Sequence, residues 1–369
     1  MPEYCCVSVI VPFYNAEPYL KRCIDVLLKQ DFNKSFEIIM VDDASTDNGK
    51  NIIKTENSPL ITLRSLPSNS GPSAARNIGL KIAKGEYLFF LDADDTISTS
   101  TLKTLYSHAK ENDYDLVCSD KERIENFQNQ RENIFVYPAD KTFSNSDITE
   151  EIKKRVYDPL YEESLIGIQG KLIKRSIISR NNLSFEEGLR YNEDEIFGWD
   201  IITYCKKAKY IRKKLYSYYV HPNVSSAVSE GINRGFAVSN FKLAKDRVQN
   251  CFKHRGLSIQ ETGKLADQMF INHVIGSLIS YSRSIILGKV DLKNGKKCRK
   301  KLIEDILKDR DISKAIRNYV RSENENQWIP RAITWKFHKL LEFACIIRAK
   351  EILRIRRKKR EAFDESLGH

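Results

Sequence analysis

Nothing in the 369-residue sequence is both long and apolar enough to cross a bilayer. The uncharged stretch Gln268 to Ser282 falls short of the roughly 20 apolar residues a spanning helix needs, and Asn272, His273 and Ser277 interrupt it. The N-terminus lacks a basic stretch ahead of a hydrophobic core and lacks a small-residue cleavage site. It enters the apolar run Val7 to Val11 almost at once, so no signal peptide is expected. The eight cysteines are scattered without any CxxC spacing, which argues against a zinc or redox centre and for reduced thiols in the cytoplasm. No internal repeat is found, which removes solenoids and propellers.

What remains is the composition of a globular protein, 41% hydrophobic and 30% charged, long enough for one large or two ordinary domains. The net charge of +12 is unevenly spread. Residues 231–369 hold 31 Lys and Arg against 15 Asp and Glu, a net +16, which leaves residues 1–230 at −4. Such asymmetry suggests that one region meets an anionic surface while the other carries the chemistry.

From Val7 to about Asp120, short apolar runs alternate with helical patterns. VSVIVP precedes a helix through Tyr19 to Lys29, FEIIMVDD precedes Asn48 to Lys54, ITLRSL precedes Ser73 to Ala83, and EYLFFLDADD precedes Leu102 to Glu111, with DLVCSD after it. This βαβ rhythm predicts an α/β fold, a mainly parallel sheet with helices on both faces. The strand runs are continuously apolar, as strands covered on both sides should be. Residues 121–150 show no periodicity and read as a long loop or lid. Beyond Gly231 the pattern is almost entirely helical.

Polar residues collect where these strands should end. Pro12, Tyr14 and Asn15 form a turn, where Tyr14 offers a face for a base to stack on. Asp42 and Asp43 follow the second strand; Asp47, just before a helix, reads as an N-cap. In NSGPSAARNIG, Gly71 and Pro72 make a turn, Ser73 starts a helix and Arg76 lies one turn in. That combination suits a pyrophosphate, although Gly and Pro before a helix are also ordinary punctuation. Asp92, Asp94 and Asp95 crowd three carboxylates into four residues, a donor set for a hard cation, Mg²⁺ or Mn²⁺, or else a polar turn. Glu193, Asp194 and Glu195 open a further helix, either as favourable charge at its N-terminus or with one carboxylate as a general base. His221 is a remaining candidate ligand.

Taken in order, VSVIVPFYN, IIMVDDASTD, NSGPSAARNIGLKIAKGEYLFFLDADD, the NED knot and YYVHPNVSS resemble the family 2 glycosyltransferases of the GT-A fold. The resemblance is dense over residues 6–120, ordered but patchier to about 228, and absent from 231–369. It implies inverting transfer from a nucleotide diphosphate sugar, UDP-sugar favoured, to a glycan or lipid-linked acceptor. It implies further that Pro12, Tyr14 and Asp43 hold the uridine, with Asn15, Glu17 and Ala93 on the nucleotide side. Arg76 would contact the nucleotide, Asp92 the ribose and metal, and Asp94 the metal that bridges the phosphates. Asp194 would be the base, and His221 would sit near the metal. No QxxRW-like motif of the processive synthases is present, which favours one sugar per visit.

Residues 1–230 are therefore expected to form the transferase domain, with a nucleotide-sugar half at 1–120 and an acceptor half at 121–230. Residues 231–369 form a basic helical region. Within 330–360, Ile333, Phe337, Leu340, Leu341, Ala344 and Ile347 recur at helical spacing and the basic run Arg354 to Arg360 closes the segment. A basic amphipathic helix of this kind lies on an anionic membrane surface or packs on protein. The expected location is the cytoplasm, peripheral to the inner face of its membrane. A nucleotidyltransferase shares the paired carboxylates but has little use for Asp194. A non-catalytic glycan or nucleic-acid binder would rely on the basic tail, whose aromatics lie on the apolar stripe rather than on a stacking platform, so no nucleic-acid partner is expected.

Overall fold

A computed structural model describes residues 5–125, 130–134, 136–158, 161, 164–189, 192–220, 237–288, 292–321 and 326–367. The chain divides into two compact units: Met1–Ile152 with Glu162–Val224, and Lys153–Tyr161 with Ser225–His369.

The first unit is built on a ten-stranded sheet. Its first half runs β1 (Val7–Phe13), α1 (Glu17–Leu28), β2 (Phe36–Asp42), α2 (Gly49–Glu56), β3 (Ile61–Ser65), α3 (Pro72–Ile82), β4 (Tyr87–Phe90), β5 (Thr96–Ile97) and α4 (Thr101–Glu111). The second half runs β6 (Leu116–Glu125), β7 (Gln130–Ile134), β8 (Lys141–Phe143), α5 (Asn145–Tyr157), β9 (Lys171–Lys174), α6 (Arg175–Arg180), α7 (Glu193–Tyr204) and β10 (Ala208–Val220). The strand order is β3-β2-β1-β4-β9-β6-β10-β5, with β7 on β6 and β8 on β10. β1, β2, β3 and β4 are mutually parallel, β6 is parallel to β10, and β9 runs antiparallel between β4 and β6.

Strand side chains alternate between faces, so the two helical layers can be read from register. Val7, Val9, Val11, Tyr87 and Phe89 share one core with Leu20, Ile24, Leu102 and Leu105, which places α1 and α4 on that face. The other face takes α3, where a Cβ added at Gly79 would lie 2.4 Å from Ile10 Cγ2, and α7, whose Phe197 packs edge-on against Phe90. The parallel β1–β4 part, covered on both faces, agrees with the sequence reading; the sheet as a whole is mixed, since β5, β7, β8 and β9 pair antiparallel.

The described residues of 121–150 are not a loop or lid but mostly strand and helix. β6 continues to Glu125 because β10 runs beside it in parallel as far as Val220, and a hairpin return supplies β7 from Gln130 to Ile134. The outer strand of such a hairpin needs no apolar run, so polarity hid it.

The second unit contains α8 (Val238–His254), α9 (Ile259–Ile286), α10 (Leu292–Lys308), α11 (Arg310–Ala315), α12 (Trp328–Thr334) and α13 (His338–Leu367). Residues 153–161 join it through Lys153 to Glu261 at 2.9 Å and Asn272 Nδ2 to Val156 O at 2.7 Å. The helical stripe expected across 330–360 is interrupted. After α12, the Phe337 N–H donates to Ala332 O and the Lys336 N–H to Ile333 O, with Lys336 left-handed at φ 55°. This is a Schellman stop, with Lys where glycine is usual. α13 then buries Leu341, Ala344, Cys345 and Ala349, and Arg299 on α10 pairs with its Glu342 at 2.5 Å. Phe337, expected on the buried stripe, is instead 54% exposed. No helix among the described residues is long and apolar enough to cross a membrane.

Candidate active site

Between β1 and β4 the chain's winding reverses: β2 and β3 lie to one side of β1, and β4 to the other. In open α/β sheets ligands collect outside the carboxyl ends of strands at such a switch point. β4 pairs with β1 only as far as Ile10, so beyond it β1 has one neighbour. Pro12, which has no N–H to donate, falls in that stretch. The loops entering the crevice are Tyr14–Ala16 after β1 and Leu91–Asp95 after β4.

The β1 and β2 loops are laced together. Asn15, left-handed at φ 48°, accepts the Thr46 N–H at 2.8 Å through its side chain and donates its own N–H to Ser45 Oγ at 3.0 Å. The Glu17 N–H donates to Asp47 at 2.8 Å, and the Asn48 N–H donates to the Glu17 carboxylate at 3.0 Å. Asp47 also accepts the Gly49 N–H at 3.1 Å, so it satisfies the starts of both α1 and α2. Asp43 is buried and accepts the Ser70 and Gly71 N–H groups at 2.7 and 2.8 Å. Asn15, Glu17 and Asp43, expected on the nucleotide side, also hold these loops together. Tyr14 stands 48% exposed beside them, open to a stacking partner.

Arg76 joins three elements. Its Nη2 donates to Asp92 Oδ1 at 2.9 Å, and its Nη1 to Glu193 Oε1 at 3.0 Å. Its guanidinium also lies 5.3 Å from the centre of the Phe185 ring. The side chain is buried, and the two carboxylates hold its pKa above the ordinary arginine value despite the opposing effect of burial. Expected to contact the nucleotide, Arg76 has its terminal nitrogens committed to Asp92 and Glu193. Phe185 stacks on Phe197 of α7 at 3.9 Å, and Asn77 of α3 clasps the Phe185 backbone through both its N–H and its carbonyl. These contacts fix the first turn of α7 against the end of β4.

The acidic turn after β4 is crowded. Burial, with repulsion from Asp92, pushes Asp94 up to about 6. Burial, with repulsion from Asp92 and Asp94, pushes Asp95 up to about 8. Asp95 is fully buried and accepts the Tyr216 hydroxyl at 2.6 Å and the Tyr219 N–H at 2.9 Å, so it braces the turn from β10. Arg22 donates to the Asp94 carbonyl at 2.5 Å and lies 3.9 Å over the Tyr219 ring. Asp92 keeps its side chain 28% exposed, where Asp95 is buried. Ala93 is buried between them.

Asp194 accepts Gln169 Nε2 at 3.0 Å on Oδ2 and the Glu195 N–H at 2.8 Å on Oδ1. Gln169 bridges to Phe90, the last residue of β4, so one amide links the end of that strand to the first turn of α7. Gly167 and Gly170 frame it at φ 89° and 70°, and buried Lys171 donates to the Ile166 and Gly167 carbonyls. Gly198 permits the approach of α7 to this loop, since a Cβ there would lie 2.4 Å from the Gly167 nitrogen. The paired glycines around Gln169 were the available sequence signal for it. Sequence reasoning named Asp95, Glu193 and Arg76 but not the pairing of Arg76 with Glu193, and it missed Tyr216 and Tyr219, the partners of Asp95. His221 lies outside the described residues.

Among the described residues no group of three or more His, Cys, Asp or Glu side chains is gathered to hold a metal. Two carboxylates nonetheless fit Mg²⁺ or Mn²⁺, which commonly take one or two protein carboxylates and complete their shell from substrate phosphates and water. The raised Asp94 and Asp95 fit a site whose charge a cation would offset.

This fold and site define an open α/β protein with an acidic cluster at its strand ends. Residues 8–161 match the model of glycosyl transferase family 2. "Glycosyltransferase GlyG" of Streptococcus pneumoniae serotype 4 is 31% identical over 217 residues, covering 58% of this chain and 70% of that protein. The chain belongs to glycosyl transferase family 2. It is also 32% identical to the "uncharacterized glycosyltransferase EpsJ" of Bacillus subtilis (59% of this chain, 62% of that protein). With the "poly(ribitol-phosphate) beta-N-acetylglucosaminyltransferase TarP" of Staphylococcus aureus it shares 33% (59% and 63%). The chain spans 62%, 32% and 61% of the length of EpsJ, a poly(ribitol-phosphate) beta-glucosyltransferase of Bacillus spizizenii and YibD of Escherichia coli. Among solved structures, S. aureus TarS 1-349 in complex with UDP-GlcNAc matches with a TM-score of 0.66 at 20% identity, over 95% of this chain and 91% of that one. At that identity the likeness speaks for a GT-A-like fold alone.

Proposed function

We propose that this protein transfers a sugar from a nucleoside diphosphate donor, a UDP-sugar, to a hydroxyl of a glycan or lipid-linked acceptor, with inversion. The observation that carries the reading is the Asp92–Arg76–Glu193 linkage, which joins the acidic turn to the helix that bears Asp194. The TarS complex with UDP-GlcNAc supports a UDP-sugar as donor, and the names of TarP and the B. spizizenii relative support a polyol-phosphate as acceptor.

In this reading Tyr14 stacks on the base; Asp92 and Asp94 would hold a divalent cation, which would supply positive charge to offset that of the departing diphosphate. His221 is the further candidate ligand. Asp194 takes the proton of the acceptor hydroxyl as its oxygen attacks the anomeric carbon from the side opposite the diphosphate. The new C–O bond forms as the bond to the diphosphate breaks, which inverts the centre in one step. Arg76 acts by fixing Asp92 against Glu193. A basic surface of the second unit holds the enzyme at the anionic inner face of the cytoplasmic membrane.

Incubation with labelled UDP-sugars, acceptor and Mn²⁺ should release UDP, and EDTA should abolish that release until Mn²⁺ is restored. Release of pyrophosphate would make the protein a nucleotidyltransferase instead. Removing the Gln169 amide should loosen the carboxylate it orients. Gln169→Ala is expected to lower kcat roughly tenfold, with donor KM unchanged, since a hydrogen bond to a charged group is worth about 1.5–3 kcal/mol. An unchanged kcat would separate Gln169 from the base.

A further inference from the structure

We propose that the turn between α12 and α13, together with the outer face of α13, is a docking surface for an anionic lipid bilayer. The inference deepens the membrane part of the reading above and rests on it. Of the amphipathic stripe that the sequence offered as the membrane face, Ile333, Leu341 and Ala344 are buried inside the protein, whereas Phe337 is exposed. What the fold leaves outside joins Phe337 to two aromatics that were not on that stripe. Trp335 is 60% exposed, Phe337 54% and Phe343 61%.

The helix stop explains the first two. Ending α12 on Lys336 turns the chain, so Trp335 and Phe337 flank a tight corner instead of continuing a helical stripe. Phe343 follows on α13, spaced four residues from Lys339 and seven from Lys350, so the three share one face of that helix. That face points away from Leu341 and Cys345. Lys336, Lys339 and Lys350 are all exposed, which interleaves a cation with each aromatic.

Aromatic rings with lysines between them suit a lipid interface, where rings enter the headgroup region and ammonium groups meet phosphates. The left-handed Lys336 adds to this, because glycine would occupy that conformation at less cost and carries no charge. Charge complementarity thus selects an anionic bilayer over a neutral one or a second basic copy of this chain.

The full chain should sediment with vesicles of phosphatidylcholine containing about 30% phosphatidylglycerol, weakly with phosphatidylcholine alone, and less as salt rises. The variant W335A/F337A/F343A should bind the anionic vesicles roughly tenfold more weakly, while its UDP release with a soluble acceptor stays at the wild-type level. K336Q/K339Q/K350Q should lose the preference for anionic lipid. Equal binding by the aromatic variant would overturn this surface while leaving membrane association standing. No binding by the wild-type chain would remove both. Loss of a wild-type dimer in the aromatic variant, without vesicle binding by either, would make the face a contact between copies and overturn the proposal.

Discussion

Asp194→Asn is expected to lower turnover by about 10²–10⁴, the usual contribution of a general base, and to leave donor binding unchanged. The amide is close in size to the carboxylate and can still accept the Glu195 N–H, so the first turn of α7 should persist. What it loses is the capacity to take a proton. The donor contacts proposed for Tyr14, Asp92 and Asp94 lie on other elements, so UDP-sugar should raise the melting temperature of the variant as much as that of the parent protein. Single-turnover kinetics with saturating donor checks the first half of the expectation and a thermal shift checks the second. Near-parental turnover would move the base elsewhere, with Glu195 the next carboxylate of the same turn.

Arg76→Ala should have the largest effect on stability. It leaves the Glu193 carboxylate, 9% exposed, without its cation, and breaking a buried pair by removing one partner costs about 3–5 kcal/mol. The pH dependence has a definite sign. Burial already raises Glu193 and Arg76 opposes that rise, so removing Arg76 raises it further. An acid raised in the folded state destabilises the protein above its folded pKa, and acidification relieves the penalty as it becomes protonated. The stability gap between Arg76→Ala and the parent should therefore narrow as pH falls from neutral towards 5, as read by urea denaturation across pH. Glu193→Gln in the Arg76→Ala background should recover part of the loss. Arg76→Lys should recover little, because one ammonium cannot span Asp92 and Glu193 as a planar fork does. A gap that stays constant with pH would mean that Glu193 is not the stranded group.

β1, β2 and β4 were legible because they are buried on both faces and so read as apolar runs, while β3, a half-exposed edge strand, was legible from its place in the βαβ rhythm. The acidic turn was legible because three aspartates stand within four residues. The hairpin of β6 and β7 was not, since its ladder is made by backbone groups whatever the side chains are. The partners inside the site were not legible either. Arg76 and Glu193 are 117 residues apart, Tyr216 and Asp95 are 121 apart, and no local spacing announces a pair made by strand order. The stop at Lys336 was hidden for a simpler reason: the left-handed residue that ends a helix is usually glycine, and here it is lysine.

Those long separations bear on how the protein reaches its active form. During synthesis Arg76 and the acidic turn leave the ribosome well before Glu193, Asp194 and Tyr216 exist, so the first βαβ half has nothing with which to complete its charge pairs. Closing segments of that length is slow relative to forming adjacent strands and helices. The nascent chain therefore passes through a stage in which its early strands can form while Arg76 and Asp95 still lack Glu193 and Tyr216, the partners that later hold them.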